Sequence, residues 1–177
     1  MTVNAIVAVD ENFGIGYHNE LLFRIKEDME LFKELTLNNV VIMGRNTLES
    51  LPNGEPLKDR INIVLTSDKE KSDKTIIDAN DIMYANSVDA ALLTASVFNK
   101  DIFVIGGASV YEQMLEYCDK VYITKAYINC TADKFFPNII EDSRFKIVQE
   151  TGIKQYNNIS YKLCVYENSS ISKRRLF

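Results

Sequence analysis

The sequence predicts an α/β fold: a mostly parallel central sheet flanked by helices, with an antiparallel hairpin at its C-terminal end. Three observations predict it. The short, almost wholly apolar runs Ala5 to Val9, Val40 to Met43, Ile61 to Leu65 and Ile102 to Ile105 read as strands covered on both faces, as parallel strands between helix layers are. Helical patterns fall between these runs. After Cys118 the pattern changes to strands with no helix between them.

Taken in order, the first strand is expected from Thr2 to Val9. The segment Asp10 to Arg24, with Gly14 and Gly16, reads as a loop. An unstructured loop beyond about 12 residues is usually functional, so this one is a candidate flap over a cleft. A helix follows from Ile25 to Leu37, with Ile25, Met29, Phe32 and Leu35 as its apolar positions. The strand Val40 to Met43 ends in Gly44-Arg45-Asn46-Thr47 and a helical turn that stops near Pro52-Asn53-Gly54. Ile61 to Leu65 is the next strand, and the charged stretch Asp68 to Lys74 reads as an exposed loop without assigned function. Ser87 is placed to cap a helix running through Phe98. The strand Asp101 to Ile105 then leads directly into Gly106-Gly107 and a helix from Ala108 to Leu115. The last strands are Lys120 to Tyr127, Phe145 to Glu150 and Ser160 to Tyr166, the final two forming a hairpin at the sheet edge around Asn157-Asn158. Residues 1–168 are read as one domain and 169–177 as a short polar, basic tail whose Lys173-Arg174-Arg175 is a solvated end.

Composition narrows the function. At 177 residues and 46% hydrophobic content the chain is long enough for one sizeable core. A net charge of −5 disfavours nucleic-acid and anionic-membrane partners, so any anionic ligand is left to a few local cations. The N-terminus lacks the basic flank and long apolar region of a signal peptide, and no segment is long and apolar enough to span a bilayer. Cys118, Cys130 and Cys164 are odd in number and widely spaced, which fits reduced thiols in a cytoplasmic protein. His18 is the only histidine, which excludes a Ser-His-acid triad and a His-rich metal site, and no metal is expected.

In a parallel α/β sheet, ligands settle beyond the carboxyl ends of the strands, where helix N-termini offer backbone N–H groups and a partial positive charge. Both glycine junctions fall there. Gly106-Gly107 allows close approach of backbone to a phosphate, and Gly44-Arg45-Asn46-Thr47 adds a cation with hydroxyl and amide donors. Two such sites suit a dinucleotide pyrophosphate; an arginine beside the ribose favours NADPH over NADH, with Ser67 as a further donor. The plainer alternative is a pair of tight turns, and no GxGxxG fingerprint is present. Asp28 lies four positions before Phe32 and seven before Leu35, which puts a carboxylate on an apolar helix face. There it would bind a cationic or amidine-like ring edge, with desolvation raising its pKa. The alternative is that Glu27, Asp28 and Glu30 simply complement the dipole of a first helical turn. Arg60, just before a strand, is either a bidentate partner for a ligand carboxylate or an ordinary surface arginine.

These segments, in order and spacing, resemble the dihydrofolate reductase family: Ile6-Val7-Ala8-Val9, Gly14-Ile15-Gly16, Asp28 with Phe32, and Val41-Ile42-Met43-Gly44-Arg45-Asn46-Thr47. Arg60-Ile61-Asn62-Ile63-Val64-Leu65, Val104-Ile105-Gly106-Gly107-Ala108-Ser109-Val110-Tyr111, Asp133 and Phe136-Pro137 continue the likeness over nearly the whole chain. The resemblance implies a dihydrofolate reductase-like fold and NADPH-dependent reduction of 7,8-dihydrofolate to 5,6,7,8-tetrahydrofolate. Hydride would go to C6 and a water-relayed proton to N5, in support of one-carbon metabolism and thymidylate synthesis. A cytoplasmic, monomeric antifolate target is implied as well.

By the same resemblance, Asp28 holds the pterin, supported by Thr124, in a slot lined by Ile6, Ala8, Phe32, Leu51 and Ile105. Leu57 packs on the aminobenzoyl ring and Arg60 grips the glutamate α-carboxylate. The cofactor is assigned to Ala8, Ile15, Gly16, Gly44, Arg45, Asn46, Thr47, Thr66, Ser67, Ile105, Gly106, Gly107, Ala108, Ser109, Val110 and Tyr111. Ile15 and Tyr111 press on the nicotinamide, and the Gly-Gly bond is expected to be cis. Asp28, Phe23, Tyr111 and Thr124 form the catalytic set. The family's Leu-Pro-Trp appears here as Leu21-Leu22-Phe23, in a chain with no tryptophan, which predicts a looser loop and altered proton delivery. Two rivals remain at this point: a riboflavin-pathway reductase, disfavoured by Asp28 with Arg60, and a catalytically silent nucleotide- or antifolate-binding module.

Overall fold

A computed structural model describes residues 1–68 and 82–170, so most of the charged run that begins at Asp68, and the basic tail, lie outside the described residues. The strands are β1 (Val3–Val9), β2 (Gly14–Tyr17), β3 (Glu20–Leu21), β4 (Val40–Gly44), β5 (Ile61–Leu65), β6 (Ile82–Ala85), β7 (Ile102–Val104), β8 (Lys120–Ala126), β9 (Lys134–Phe135), β10 (Phe145–Glu150), β11 (Lys154–Tyr156) and β12 (Ile159–Asn168). The α-helices are α1 (Lys26–Thr36), α2 (Arg45–Ser50), α3 (Val88–Ser96) and α4 (Ala108–Met114).

The main sheet runs β10-β12-β8-β1-β7-β4-β5-β6, with β11 also on β12. Pairings from β8 through β1, β7, β4 and β5 to β6 are parallel, and those made by β12 are antiparallel. This is the mostly parallel α/β sheet that the apolar runs predict, with the antiparallel part at its C-terminal edge. Because successive strand residues point to opposite faces, β1 serves two cores. Ala5, Val7 and Val9 join α3 and α4 on one face, while Ile6 joins Phe32 and Leu35 of α1 on the other.

The structure departs from the sequence reading in particular places. The segment Asp10 to Arg24 is no bare flap: it contains the hairpin β2–β3, which pairs with β9 in a second, three-stranded sheet. The expected hairpin around Asn157-Asn158, both asparagines having positive φ, is present but broken: β11 leads through the turn into β12, and β10 continues along the same edge of β12, opposite β8. In α1, Met29 is 41% exposed, so the inward row is Asp28, Phe32 and Leu35, while Ile25, just before the helix, packs with Ala126 and Tyr161. Ser87 does cap its helix, accepting from the Ala90 N–H at 3.1 Å, a contact of the kind worth about 1 kcal/mol. Cys118 and Cys164 are buried, and Cys130 is half-buried. Among the described residues no helix is long and apolar enough to cross a membrane.

Candidate functional site

The site begins at the first turn of α1. Asp28 leans inward over the carboxyl end of β8, where the Thr124 hydroxyl donates to its Oδ1 at 2.5 Å. Thr124 is 2% exposed and stands level with Ala8 of β1 and Leu163 of β12, so it is fixed by three strands. Burial pushes the Asp28 carboxyl above the usual carboxylate range, and the Thr124 hydrogen bond holds it back in part. The neighbouring Glu27 turns the other way, to Lys154 and to the Tyr161 hydroxyl of the C-terminal hairpin, which hold its carboxyl below the ordinary value. Two adjacent acids thus do different work. Ile6, Phe32, Leu51, Leu57 and Ile105 belong to one apolar cluster on the Asp28 face of the sheet. Phe23 instead packs with Ile25, Ala126 and Tyr161 beneath the hairpin.

The two glycine junctions meet side by side, because β4 and β7 are parallel neighbours. The Gly44 N–H donates to the Gly106 carbonyl at 2.8 Å. The Gly106–Gly107 bond is cis, as the resemblance implies, and Gly106 has φ +110, a conformation that side chains rarely adopt. A Cβ at Gly106 would lie 3.1 Å from the Tyr111 ring, and one at Gly44 would lie 3.1 Å from Val110. Backbone is therefore bare where α2 and α4 begin, and no side chain caps either helix. Arg45 and Asn46 are exposed at that edge, with Arg45 held loosely to Glu49 at 3.5 Å. Thr47 Oγ1 is the atom nearest to where a Cβ on Gly107 would stand. Ser67 is exposed at the end of β5, whereas the Thr66 hydroxyl accepts from the Asp68 N–H at 3.1 Å. Ala108 and Ser109 open α4; the Ser109 hydroxyl accepts from Gln113 at 3.0 Å.

Tyr111 links both halves. It is 4% exposed, stacks edge-on against Phe136 at 4.9 Å, and donates its hydroxyl to the Ile6 carbonyl at 2.7 Å. Burial, with the nearby Asp28 charge, pushes this phenol far above its ordinary value. Its proton therefore stays on the Ile6 contact, and the geometry makes Tyr111 a brace for β1 and for Gly106.

The loop over the site is tied at two acids. Asp10, 1% exposed, accepts from the backbone N–H groups of Asn12, Gly14 and Cys130 at 2.7–3.0 Å. Asp133 accepts from the His18 N–H at 3.2 Å, and its own N–H donates to the Gly16 carbonyl at 3.0 Å. Ile15 packs on the core at its edge. Gly14 leaves no room for a side chain, since a Cβ would stand 2.8 Å from Ala132.

At the opposite end of α1, Arg60 is already oriented. Its Nε and Nη2 donate to the Thr36 hydroxyl oxygen at 3.3 and 3.2 Å, and Nη1 donates to the Lys58 carbonyl at 2.6 Å. Burial draws the guanidinium below its ordinary value, a desolvation that a bound carboxylate would offset. Thr36, Asn62 and Asp10, all buried, support the site without a role that the sequence analysis assigns them. Asn62 left a visible signal, the lone amide inside the strand Ile61 to Leu65; Thr36 left none.

The family profile for dihydrofolate reductase matches residues 2–168. The dihydrofolate reductase of Buchnera aphidicola subsp. Schizaphis graminum is 38% identical over 165 residues, covering 93% of this chain and 96% of that one. The dihydrofolate reductase of Bacillus subtilis is 34% identical over 176 residues, covering 97% of each, and that of Schistosoma mansoni is 35% identical over 185 residues, covering 94% and 96%. A carboxylate under a helix, two bare glycine junctions beside it and an arginine at the far helix end thus accompany a match along the whole described fold, and the chain belongs to the dihydrofolate reductase family, a family of oxidoreductases.

Proposed function

We propose that this chain reduces 7,8-dihydrofolate to 5,6,7,8-tetrahydrofolate, consuming one NADPH and one proton. The observation that carries the reading is the Asp28 carboxylate, held by Thr124 at 2.5 Å beside the apolar cluster of Ile6, Phe32 and Leu51. Thr124 takes one acceptor position on Oδ1, which leaves both carboxylate oxygens able to accept the paired N–H groups of a pterin's amidine-like edge. In this reading Arg60 pairs with the glutamate carboxylate, and Leu57, three residues before it and in the same apolar cluster as Phe32, packs on the ring between pterin and glutamate. The residues present fit a dinucleotide: bare backbone at Gly44, Gly106 and Gly107, two helix starts without side-chain caps, and the exposed cation Arg45.

When bound, the reduced nicotinamide supplies a hydride to C6 of the pterin. The chain's own residues bind, orient and exclude water. Asp28 fixes the ring edge and polarises the ring; it stays with that edge while the N5 proton comes through water. Thr124 fixes Asp28. Tyr111, its hydroxyl kept on Ile6, holds β1 against the junction at Gly106. Ile15 and Gly16, on the hairpin β2–β3 that β9 holds, would cover the reacting rings, and proximity would supply much of the acceleration. The unit that does this is residues 1–168, acting as a cytoplasmic monomer that feeds one-carbon metabolism and thymidylate synthesis.

Loss of NADPH absorbance on addition of dihydrofolate tests the reading. Turnover of a ribosylated pyrimidine in place of dihydrofolate, or tight binding of NADPH and dihydrofolate without turnover, would overturn it.

A further inference from the structure

We infer that Asn62 is a positioning residue for the substrate's glutamate tail, holding the loop that carries both Leu57 and Arg60. The inference rests on the dihydrofolate reading above and names a residue that never touches substrate. Asn62 is 2% exposed in the middle of β5, level with Val41 of β4 and Ile82 of β6. Both of these neighbours belong to the apolar cluster on that face, where a buried amide is costly unless it is hydrogen-bonded.

It makes three. Its Nδ2 donates to the Leu57 carbonyl at 2.9 Å and to the Arg60 carbonyl at 3.1 Å, and its Oδ1 accepts from the Leu57 N–H at 3.0 Å. Every partner lies in the turn from Leu57 to Arg60, so one side chain closes that turn from inside the sheet. Lys58 and Asp59 are exposed, and Asp59 has φ +60, so this turn has little core of its own. The backbone N–H of Asn38 donates to the Asp59 carbonyl at 2.8 Å, which ties the turn to the end of α1.

The direction of the Arg60 guanidinium depends on this turn, because its Nη1 donates to the Lys58 carbonyl at 2.6 Å, inside the turn that Asn62 closes. Releasing the amide therefore loosens two tail contacts together, the apolar face of Leu57 and the fork of Arg60, while Asp28, ninety-six residues from its Thr124 partner along the chain, keeps its own support. The expected signature is a defect confined to the tail.

The test compares dihydrofolate with a 6-alkyl dihydropterin that lacks the aminobenzoylglutamate tail, in wild type, Asn62→Asp, Arg60→Gln and the double variant. Asn62→Asp keeps the acceptor and removes both donors. The preference for dihydrofolate over the tail-less pterin, as a ratio of kcat/KM, should fall about tenfold in Asn62→Asp, through KM rather than kcat. In the Arg60→Gln background the same change should add less than about twofold, because the two residues act as one unit. Should Asn62→Asp fail to fold, Asn62→Leu fills the same space against Val41 and Ile82 and should show the same ratio. Equal losses on both substrates, or losses that multiply in the double variant, would make Asn62 a merely structural residue. A wild type that does not oxidise NADPH with dihydrofolate would instead remove the functional reading itself, and the inference with it.

Discussion

Asp28→Asn should destroy activity and stabilise the protein at the same time. The substitution keeps size and shape, and the Thr124 hydroxyl can donate to the amide oxygen as it does to Oδ1 at 2.5 Å. What disappears is the charge that, on the proposed function, grips the pterin edge. Hydrogen bonds to a charged group contribute about 1.5–3 kcal/mol each, so losing a pair of them removes about 3–6 kcal/mol, or about 10²- to 10⁴-fold in kcat/KM. Stability moves the other way. Burial raises the folded-state pKa of Asp28 above 3.8, so between 3.8 and that raised value the folded protein binds more protons than the unfolded chain. Stability from this group is fully present below pH 3.8 and is lost as pH rises through the raised value. An asparagine does not titrate, so the variant should melt higher than wild type above that window. Each kcal/mol of the gain shows as about 2–4 °C in Tm for a chain of this size. Thermal melts across the acid range, set beside steady-state rates with dihydrofolate, measure both effects. A variant that melts at or below wild type near neutral pH, or that retains a tenth of the activity, would refute the argument that this carboxylate is desolvated and bound to substrate.

Thr36→Val removes the acceptor of two Arg60 N–H groups without changing shape, and should raise KM for dihydrofolate about three- to tenfold with kcat little changed; an unchanged KM would show that Arg60 needs no such support. Gly106→Ala forces a side chain onto φ +110 and to within 3.1 Å of the Tyr111 ring, so chemical denaturation should show a loss of about 1–3 kcal/mol together with weaker NADPH binding. Arg45→Leu breaks only an exposed contact to Glu49, so folding should hold while the preference for NADPH over NADH, read from the two dissociation constants, falls about tenfold.

What could be read in advance followed locality. β1, β4, β5 and β7 announce themselves as apolar runs because both faces of each are covered, one by α1 and the other by α3 and α4. β9 cannot be read at all: two residues long, it is a strand only because Gly14 and Gly16 pair with it from the far end of the chain. The same pairing turns an expected flap into a clamped hairpin. β6 is four residues with no alternation to mark it, and β11 is three. The acids of α1 show the limit most plainly. Glu27, Asp28 and Glu30 share one helical turn, and helix periodicity alone suits either a dipole or a binding role. Their partners tell them apart in three dimensions: Lys154 and Tyr161 for Glu27, Thr124 for Asp28, and Lys26 for the exposed Glu30. Met29, expected inside, turns outward because Asp28 takes the inward place beside Phe32.

That exchange gives α1 a second task besides covering the sheet. Asp28 stands in its first turn and Thr36, which holds the Arg60 guanidinium, in its last. Eight residues at 1.5 Å each separate them by about 12 Å along the axis. The helix is therefore a rigid spacer between an anion at one end and a cation at the other, with Phe32 midway between the two and Leu57 on the same apolar face. A ligand that satisfies both ends needs a hydrogen-bond-donating ring edge, a flat apolar middle and a carboxylate about two turns away, and a flexible loop in place of α1 would not enforce that spacing. Neither end specifies this alone: a buried acid suits many basic rings, and an arginine suits any carboxylate. On the proposed function, selectivity for a pterin carrying an acidic tail would follow from the fixed distance between them, and the supports of Arg60 would then matter as much to recognition as the support of Asp28.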